Sequence, residues 1–261
     1  MFTCREYYKA DSLEQAWKTN QKRANRILGG MGWMKMTRAT FGTAIDLSAL
    51  GLDQIQETEE EFILGAMVTL RQFETHEGLN TYFQGAMKEA TRHIVGVQFR
   101  NCATIGGSVW LRAGFSDILT LLLALDSSVE LYQGKQETTL VTLSDFCQMK
   151  KDNSILLAIH IRKSPWKVVY TSFRNTETDF PVLALALRKS QDHYVASVGA
   201  RPFLAAVVEG ESPEEVITRA QELSYADNLR ASADYRRMLA GVLIRRAAAD
   251  LEEKEDQEIP G

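Results

Sequence analysis

Apolar and polar positions along this chain change period every ten to twenty residues, and the changes predict its elements. Leu13, Ala16 and Trp17 share one helical face behind a Ser12/Gln15 capping box. Short apolar runs at 27–28, 44–47 and 62–64 read as strands, the first entering a glycine-rich turn and the last ending at Gly65. Tyr82, Phe83, Ala86, Met87 and Ala90 recur at helical spacing and predict a half-buried helix over 80–95. Ser116 opens a helix through 118–125 that is apolar nearly all round and therefore buried. Residues 129–132 and 138–141 form strands about a turn at Gly134, with further strands at 155–161 and 168–172.

Beyond residue 163 the texture changes. The pattern predicts a helix over 181–189, then strands at 193–198 and 203–208. Ser212-Pro213-Glu214-Glu215 starts a helix with an inner stripe of Val216, Ile217, Ala220 and Leu223. Tyr235, Met238, Leu239, Val242 and Leu243 mark the inner face of a last helix. Arg236, Arg237, Arg245 and Arg246 form its basic stripe, read as a solvated face with a docking surface for an acidic partner as the alternative, and the acidic end, 251–261, frays. With no repeat or low-complexity linker, the fold class is α+β in two parts, 1–163 and 164–261.

Composition narrows the function. The 261 residues are 45% hydrophobic and 25% charged, ordinary values for a soluble globular protein. A formal charge of -4 argues against nucleic acid as main partner. No apolar run approaches the roughly 18 residues of a membrane span, and the N-terminus shows no signal-peptide pattern. Cys4, Cys102 and Cys147 are scattered, which fits a reducing cytoplasm and cannot ligate an iron–sulfur cluster. His76, His93, His160 and His193 have no metal-ligand spacing.

Two glycine segments carry the candidate chemistry. In the first, Ile27-Leu28-Gly29-Gly30-Met31-Gly32-Trp33-Met34, three glycines in four positions let backbone amides converge on an anion. The spacing is neither a dinucleotide fingerprint nor a P-loop, and a plain tight turn is the competing reading. The second, Thr104-Ile105-Gly106-Gly107-Ser108, sets two glycines between two hydroxyls, which suits phosphate oxygens. Asp117 follows nine residues after Ser108; it caps its helix or accepts hydrogen bonds from a ligand. Cys102 reads as a buried structural thiol, with a redox-sensing thiol as the alternative, and Trp33 and Trp110 as packing against the loops or stacking on an aromatic ring.

These segments resemble the FAD-binding medium subunits of molybdenum hydroxylases, the carbon monoxide dehydrogenase and xanthine dehydrogenase flavoprotein family. Arg100-Asn101, Thr104–Ser108, Ser116-Asp117 and Leu125-Asp126 stand at that family's offsets, and Gly29-Gly30 aligns with its A-G-G-T-D-L loop. Gly65-Ala66 and 229–237 match too, so the likeness covers nearly the whole chain. The resemblance implies an FAD-binding domain over 1–163, made of a small α/β N-terminal portion and a β-rich portion, then a smaller α+β domain over 164–261 that covers the flavin. It implies that the two glycine segments hold the pyrophosphate, Asp117 lies near the flavin and its ribityl chain, Ile94 and Val95 line the adenine side, Leu156 packs near the cofactor, and Arg174 stands beside the flavin ring. The competing roles are core packing for Ile94, Val95 and Leu156, and a surface salt bridge for Arg174. It implies electron transfer between a [2Fe–2S] subunit of a complex with a molybdopterin-binding subunit and an acceptor such as NAD, with no side chain of this chain acting as a base or nucleophile. Met31 and Gly32 replace threonine and aspartate, Ser108 replaces asparagine, and Thr120 replaces a proline. Those losses leave a second reading, a degenerate structural or regulatory subunit that binds FAD weakly or not at all.

Overall fold

The computed structural model describes residues 1–135, 137–191 and 193–257. In chain order the elements are β1 (Thr3–Lys9), α1 (Leu13–Asn20), β2 (Arg26–Leu28), β3 (Thr40–Asp46), β4 (Ile55–Glu57), β5 (Glu61–Gly65), α2 (Leu70–Thr75), α3 (Glu77–Tyr82), α4 (Ala86–Thr91), α5 (Val97–Arg100), α6 (Ile105–Leu111) and α7 (Asp117–Ala124). They continue as β6 (Ser128–Tyr132), β7 (Thr138–Thr142), α8 (Leu143–Gln148), β8 (Ile155–Arg162), β9 (Lys167–Phe173), β10 (Leu183–Ser190), β11 (His193–Gly199), β12 (Ala206–Gly210), α9 (Pro213–Glu222) and α10 (Ala233–Gln257). The chain forms two compact units: Met1–Phe73, Val97–Leu111 and Asp126–Lys163 make one, Glu74–Gly96, Arg112–Leu125 and Ser164–Gly261 the other. The α+β class expected from the sequence is the one observed.

In the first unit, β1 and β2 flank β3 in a parallel sheet, with Tyr7 opposite Ala44 and Ile27 opposite Ile45. Helix α1 joins β1 to β2; its first turn is closed by the Ser12 hydroxyl, which accepts from the Gln15 amide at 3.4 Å. The second sheet has the order β4-β5-β8-β6-β7 and is antiparallel throughout. Ala10, Ala16, Ile45 and Leu47 from the α/β portion share a core with Tyr132, Ile155 and Leu157 of the β-rich portion. Burial of this apolar surface at about 25 cal/mol per Å² fixes the two portions together.

The second unit is built on an antiparallel sheet of order β12-β11-β10-β9. Leu183, Leu185 and Leu187 of β10 share a core with Ile217 of α9 and with Leu239 and Leu243 of α10. The other face is set close against α7. Ala184 lies opposite Gly199 in the register, and a Cβ on Gly199 would stand 2.0 Å from Thr120 Oγ1. With both faces covered, the strand is apolar at every position from 183 to 187, which is why its sequence carries no polar alternation.

That burial corrects the helix expected over 181–189: the segment is strand β10. Leucine and alanine are strong helix formers, but Leu-Ala alternation has period two, and pairing on both sides decided the outcome. The helix expected over 80–95 is instead α3 and α4, separated where Gln84 and Gly85 take left-handed φ of 50° and 82°. The strand expected from 203 begins at Ala206. The inner face of α10 is rotated from the expected stripe: Tyr235 and Met238 are 38% and 51% exposed, whereas Arg236 is wholly buried. Arg236 therefore leaves the basic stripe; it donates to the carbonyls of Val182, Ala226 and Ala231 and to Asn228 Oδ1 at 2.6–2.9 Å. The expected fraying over 251–261 does not begin at its start, since α10 runs to Gln257; residues 258–261 lie outside the described residues.

Candidate functional site

The parallel sheet delivers the first glycine segment. Leu28 ends β2 beside Asp46, and 29–34 leave from the carboxyl end of the strand, the edge where open α/β sheets bind ligands. Met31 is left-handed with φ 55°, a conformation uncommon for a residue with a Cβ. Among the described residues, the amides of Met31 and Gly32 donate to no protein acceptor. A Cβ on Gly32 would lie 2.6 Å from the Phe99 ring, so that ring occupies the space a side chain at 32 would take. Trp33 is 48% exposed and begins the 3-10 turn Met34–Met36.

The second segment is held from behind by residues 66–70. The amides of Gly106 and Ile105 donate to the carbonyls of Ala66 and Val68 at 3.0 and 2.8 Å, and the Leu70 amide donates to Ala103 at 2.8 Å. The Ala66 amide donates in turn to Leu157 of β8, so the antiparallel sheet sets the height of the segment. Rather than a loop, it is a helix start: Thr104 precedes α6, its Oγ1 accepting from Gly107 N at 3.1 Å, and Ser108 turns its hydroxyl back to the Thr104 carbonyl at 3.0 Å. Leu156 is 6% exposed on β8, opposite Leu131 at the register shift between Glu130 and Leu131.

The two glycine segments meet. The Gly30 amide donates to the same Thr104 Oγ1, at 3.4 Å. A Cβ on Gly30 would stand 1.7 Å from the Cys102 carbonyl oxygen, and one on Gly29 would stand 3.0 Å from Thr104 Oγ1. Glycine is therefore required at Gly30 for close approach of two backbones. The Cys102 thiol is exposed, against the expectation of a buried one. Trp110 packs on Phe146 of α8 with ring centroids 5.7 Å apart.

The second unit holds a buried ionic cluster. Ser116 caps α7, accepting from the Leu119 amide at 3.1 Å, which frees the Asp117 carboxylate from that task. Asp117 is 6% exposed and accepts hydrogen bonds from Tyr170 and from Arg174 Nη2. Burial pushes its carboxyl above the usual carboxylate range, while the Arg174 charge and the two hydrogen bonds pull the other way. Burial beside that carboxylate pushes the Tyr170 phenol well above its ordinary value. Arg174 also donates to Ser172 Oγ at 3.2 Å and to the Asp179 carbonyl at 2.5 Å, and the Asp179 carboxylate receives Arg230 at 2.6 and 2.8 Å. The pair is buried, so the surface salt bridge is not the correct reading of Arg174. His93 is held below its ordinary range by burial and by the charges of Arg92 and Arg174, which sets the turn bearing Ile94 and Val95 in the electrostatic neighbourhood of Arg174. Val95 is left-handed with φ 54° and 55% exposed.

Asp117 and Arg174 are thus one feature, and Tyr170, which completes it, escaped sequence reasoning. Tyr170 sits in an apolar strand, and nothing in that run marks a phenol aimed at a carboxylate. Phe99 was missed for a similar reason: its role appears only once Gly32 is placed against it. Among the described residues no histidine, cysteine and carboxylate group has the makings of a metal site, and no helix is long and apolar enough to cross a membrane.

A family model for the FAD-binding domain in molybdopterin dehydrogenase matches residues 2–163. Protein YgfM of Escherichia coli K12 is 26% identical over 269 residues, covering 97% of this chain and 99% of its own length. The nicotine 6-hydroxylase medium subunit of Paenarthrobacter nicotinovorans is 26% identical over 240 residues, covering 83% of this chain and 84% of its own. Among solved structures, quinoline 2-oxidoreductase from Pseudomonas putida 86 superposes with a TM-score of 0.84 at 16% identity, over 95% of this chain and 97% of that one. Carbon monoxide dehydrogenase from Oligotropha carboxidovorans gives 0.84 at 21% identity over the same shares. Those likenesses establish the fold, and the family model establishes the kinship: the chain belongs to the FAD-binding domain family of molybdopterin dehydrogenases, and its cofactor is FAD.

Proposed function

We propose that this chain is the electron-transfer flavoprotein subunit of a molybdenum-hydroxylase-type complex. It takes electrons from a [2Fe–2S] subunit, which a molybdopterin-binding subunit supplies, and passes them to an acceptor such as NAD. The observation that carries the reading is the junction at Thr104, where one hydroxyl accepts amides from both glycine segments. The Met31 and Gly32 amides are left over, and donors of that kind suit phosphate oxygens.

In this reading Ile27, Leu28, Gly29, Gly30, Met31, Gly32, Trp33 and Met34, with Thr104, Ile105, Gly106, Gly107 and Ser108, hold the pyrophosphate and its neighbours. Asp117 lies near the flavin and its ribityl chain and Arg174 beside its ring, Ile94 and Val95 line the adenine side, and Leu156 packs near the cofactor. Bound FAD supplies the one- and two-electron chemistry, and the protein supplies orientation and electrostatics. Residues 1–163 contain the pyrophosphate segments and 164–261 contain Arg174. The scattered cysteines make an iron–sulfur partner necessary for electron input.

Purification from the native host tests the reading. A yellow protein that co-purifies with iron and molybdenum supports it; a lone species with full substrate-to-acceptor activity overturns it. The second reading, a subunit that binds FAD weakly, is favoured by Met31 held left-handed and by Phe99 filling the space beside Gly32. Protein that stays colourless after incubation with FAD would establish that reading instead.

A further inference from the structure

Helix α10 carries two apolar stripes, and the core takes only one of them. Leu239, Leu243 and Ala247 lie in the core shared with β10 and α9. Tyr235, Met238 and Val242 lie outside that core; Tyr235 and Met238 are exposed and Val242 is half-buried. Their spacing of three and four residues keeps them on one helical face. The exposed Phe173 ring meets the Tyr235 ring with centroids 6.2 Å apart and extends the row. Scattered exposed apolar side chains are ordinary, but a contiguous row of them marks an interaction surface.

The row borders a groove between α9 and α10. The groove has a volume of about 520 Å³, and Ile217, Met238, Gly241 and Val242 line it together with Arg237 and Arg245. Glycine inside a helix is destabilising relative to alanine, yet a Cβ at Gly241 would stand 3.3 Å from Ile217 Cγ2 and 3.4 Å from Gln221 Nε2. Gly241 thus lets the two helices approach and leaves no side chain in the groove at that point.

The charge of the groove selects its occupant. Asp234 is the carboxylate among its lining residues, and it pairs with Arg237 at 2.8 Å. Arg237 is also anchored by the Gln221 carbonyl at 3.1 Å and lies 5.4 Å from the centre of the Tyr225 ring. Arg245 and its neighbour Arg246 have no carboxylate partner among the described residues; the ion pairs within α9 and α10 there are Arg219–Glu215 and Arg237–Asp234. A neutral or basic occupant would cover Arg245 and leave its charge unmet. A second copy docked through the same patch would set guanidiniums against guanidiniums, because a two-fold contact is self-complementary. An apolar row flanked by carboxylates satisfies both the groove and Arg245, and a groove between two helices receives a third helix by its row of side chains.

We infer that the α9–α10 groove docks an amphipathic helix, its apolar row flanked by aspartates or glutamates, from another subunit of the complex. The inference rests on the reading of this chain as one subunit of such a complex.

The test uses the complex purified from the native host, with wild type, Met238→Glu, Arg245→Glu and Arg245→Lys versions of this chain. Each glutamate variant is expected to bind the remaining subunits about tenfold more weakly, as for the loss of an interface anchor. Arg245→Lys keeps the charge and should stay within about threefold of wild type. The isolated variants should keep the wild-type melting temperature and FAD content, since these side chains are exposed. A photo-reactive amino acid placed at Met238 should cross-link, within the complex, to a segment of another subunit with Asp or Glu beside apolar residues spaced by three or four. Undiminished binding in both glutamate variants, a loss in Arg245→Lys equal to that in Arg245→Glu, or a cross-link to a second copy of this chain or to a segment without carboxylates overturns the inference. A wild type that enters no complex overturns instead the reading on which it rests.

Discussion

Gly30 is pressed against the carbonyl of Cys102, where a Cβ would stand 1.7 Å from the oxygen. Neither backbone has room to yield, since the Gly30 amide and the Ala103–Leu70 bond both pin the contact. Gly30→Ala should therefore separate the two glycine segments, at a cost of about 1–3 kcal/mol of overpacking. A lower melting temperature together with lost flavin absorbance checks this. Wild-type FAD content in the variant would show that the segments need not touch to bind.

Thr104 Oγ1 accepts two amides from different segments. Thr104→Val keeps the shape and removes the acceptor of two part-buried hydrogen bonds, each worth about 0.5–1.5 kcal/mol. Thr104→Ser keeps the oxygen and should bind FAD within about threefold of wild type, well under the tenfold equivalent of one bond. Equilibrium titration of the two variants checks the contrast, and equal loss in both would assign the effect to the methyl group.

The Asp117–Arg174 pair has side chains only 7% exposed. Removing either partner strands a buried charge, so Asp117→Leu and Arg174→Met should each cost about 3–5 kcal/mol. The double variant should cost clearly less than the sum, since no lone charge remains. Urea unfolding of the four proteins measures the coupling, and simple additivity would refute it.

Asp179 is held below the usual carboxylate range by the hydrogen bonds of Arg230. Its folded pKa lies below its unfolded one, so the stabilisation is present above about pH 4 and is lost as pH falls through the folded value. Wild type should thus exceed Asp179→Asn in stability near neutrality, and the gap should close in acid. A gap that stays constant down to about pH 2 would contradict the linkage.

Gly199 and Thr120 face each other across β11 and α7, and a Cβ on Gly199 would meet Thr120 Oγ1 at 2.0 Å. Gly199→Ala alone should lower the melting temperature, and adding Thr120→Ala should recover most of the loss. Thermal unfolding of the single and double variants decides the point.

Much of this was legible in the sequence because it rests on local rules. The Ser12, Ser116 and Ser212 caps each start a helix where the capping pattern puts one. The glycine segments were legible because only Gly tolerates such close approach. What was not legible depends on partners remote in sequence. Strand β10 could not be told from a helix without β9 and β11 beside it, and the inner face of α10 could not be set without knowing that backbone carbonyls would receive Arg236. Tyr170 reaches Asp117 across 53 positions of chain, a separation that no local pattern records.

The chain passes between its two units at residues 73–74, 96–97, 111–112, 125–126 and 163–164. Helix α7, which covers one face of the β9–β12 sheet, is separated from that sheet in the chain by β6, β7 and β8 of the first unit. No single cut of the gene yields either unit whole. A fragment spanning 164–261 would carry β10 and β11 with Ala184 and Gly199 stripped of their cover, and such apolar sheet faces drive aggregation. Fusions, split reporters and domain swaps made on this chain must therefore treat it as one indivisible module, with insertions confined to exposed turns.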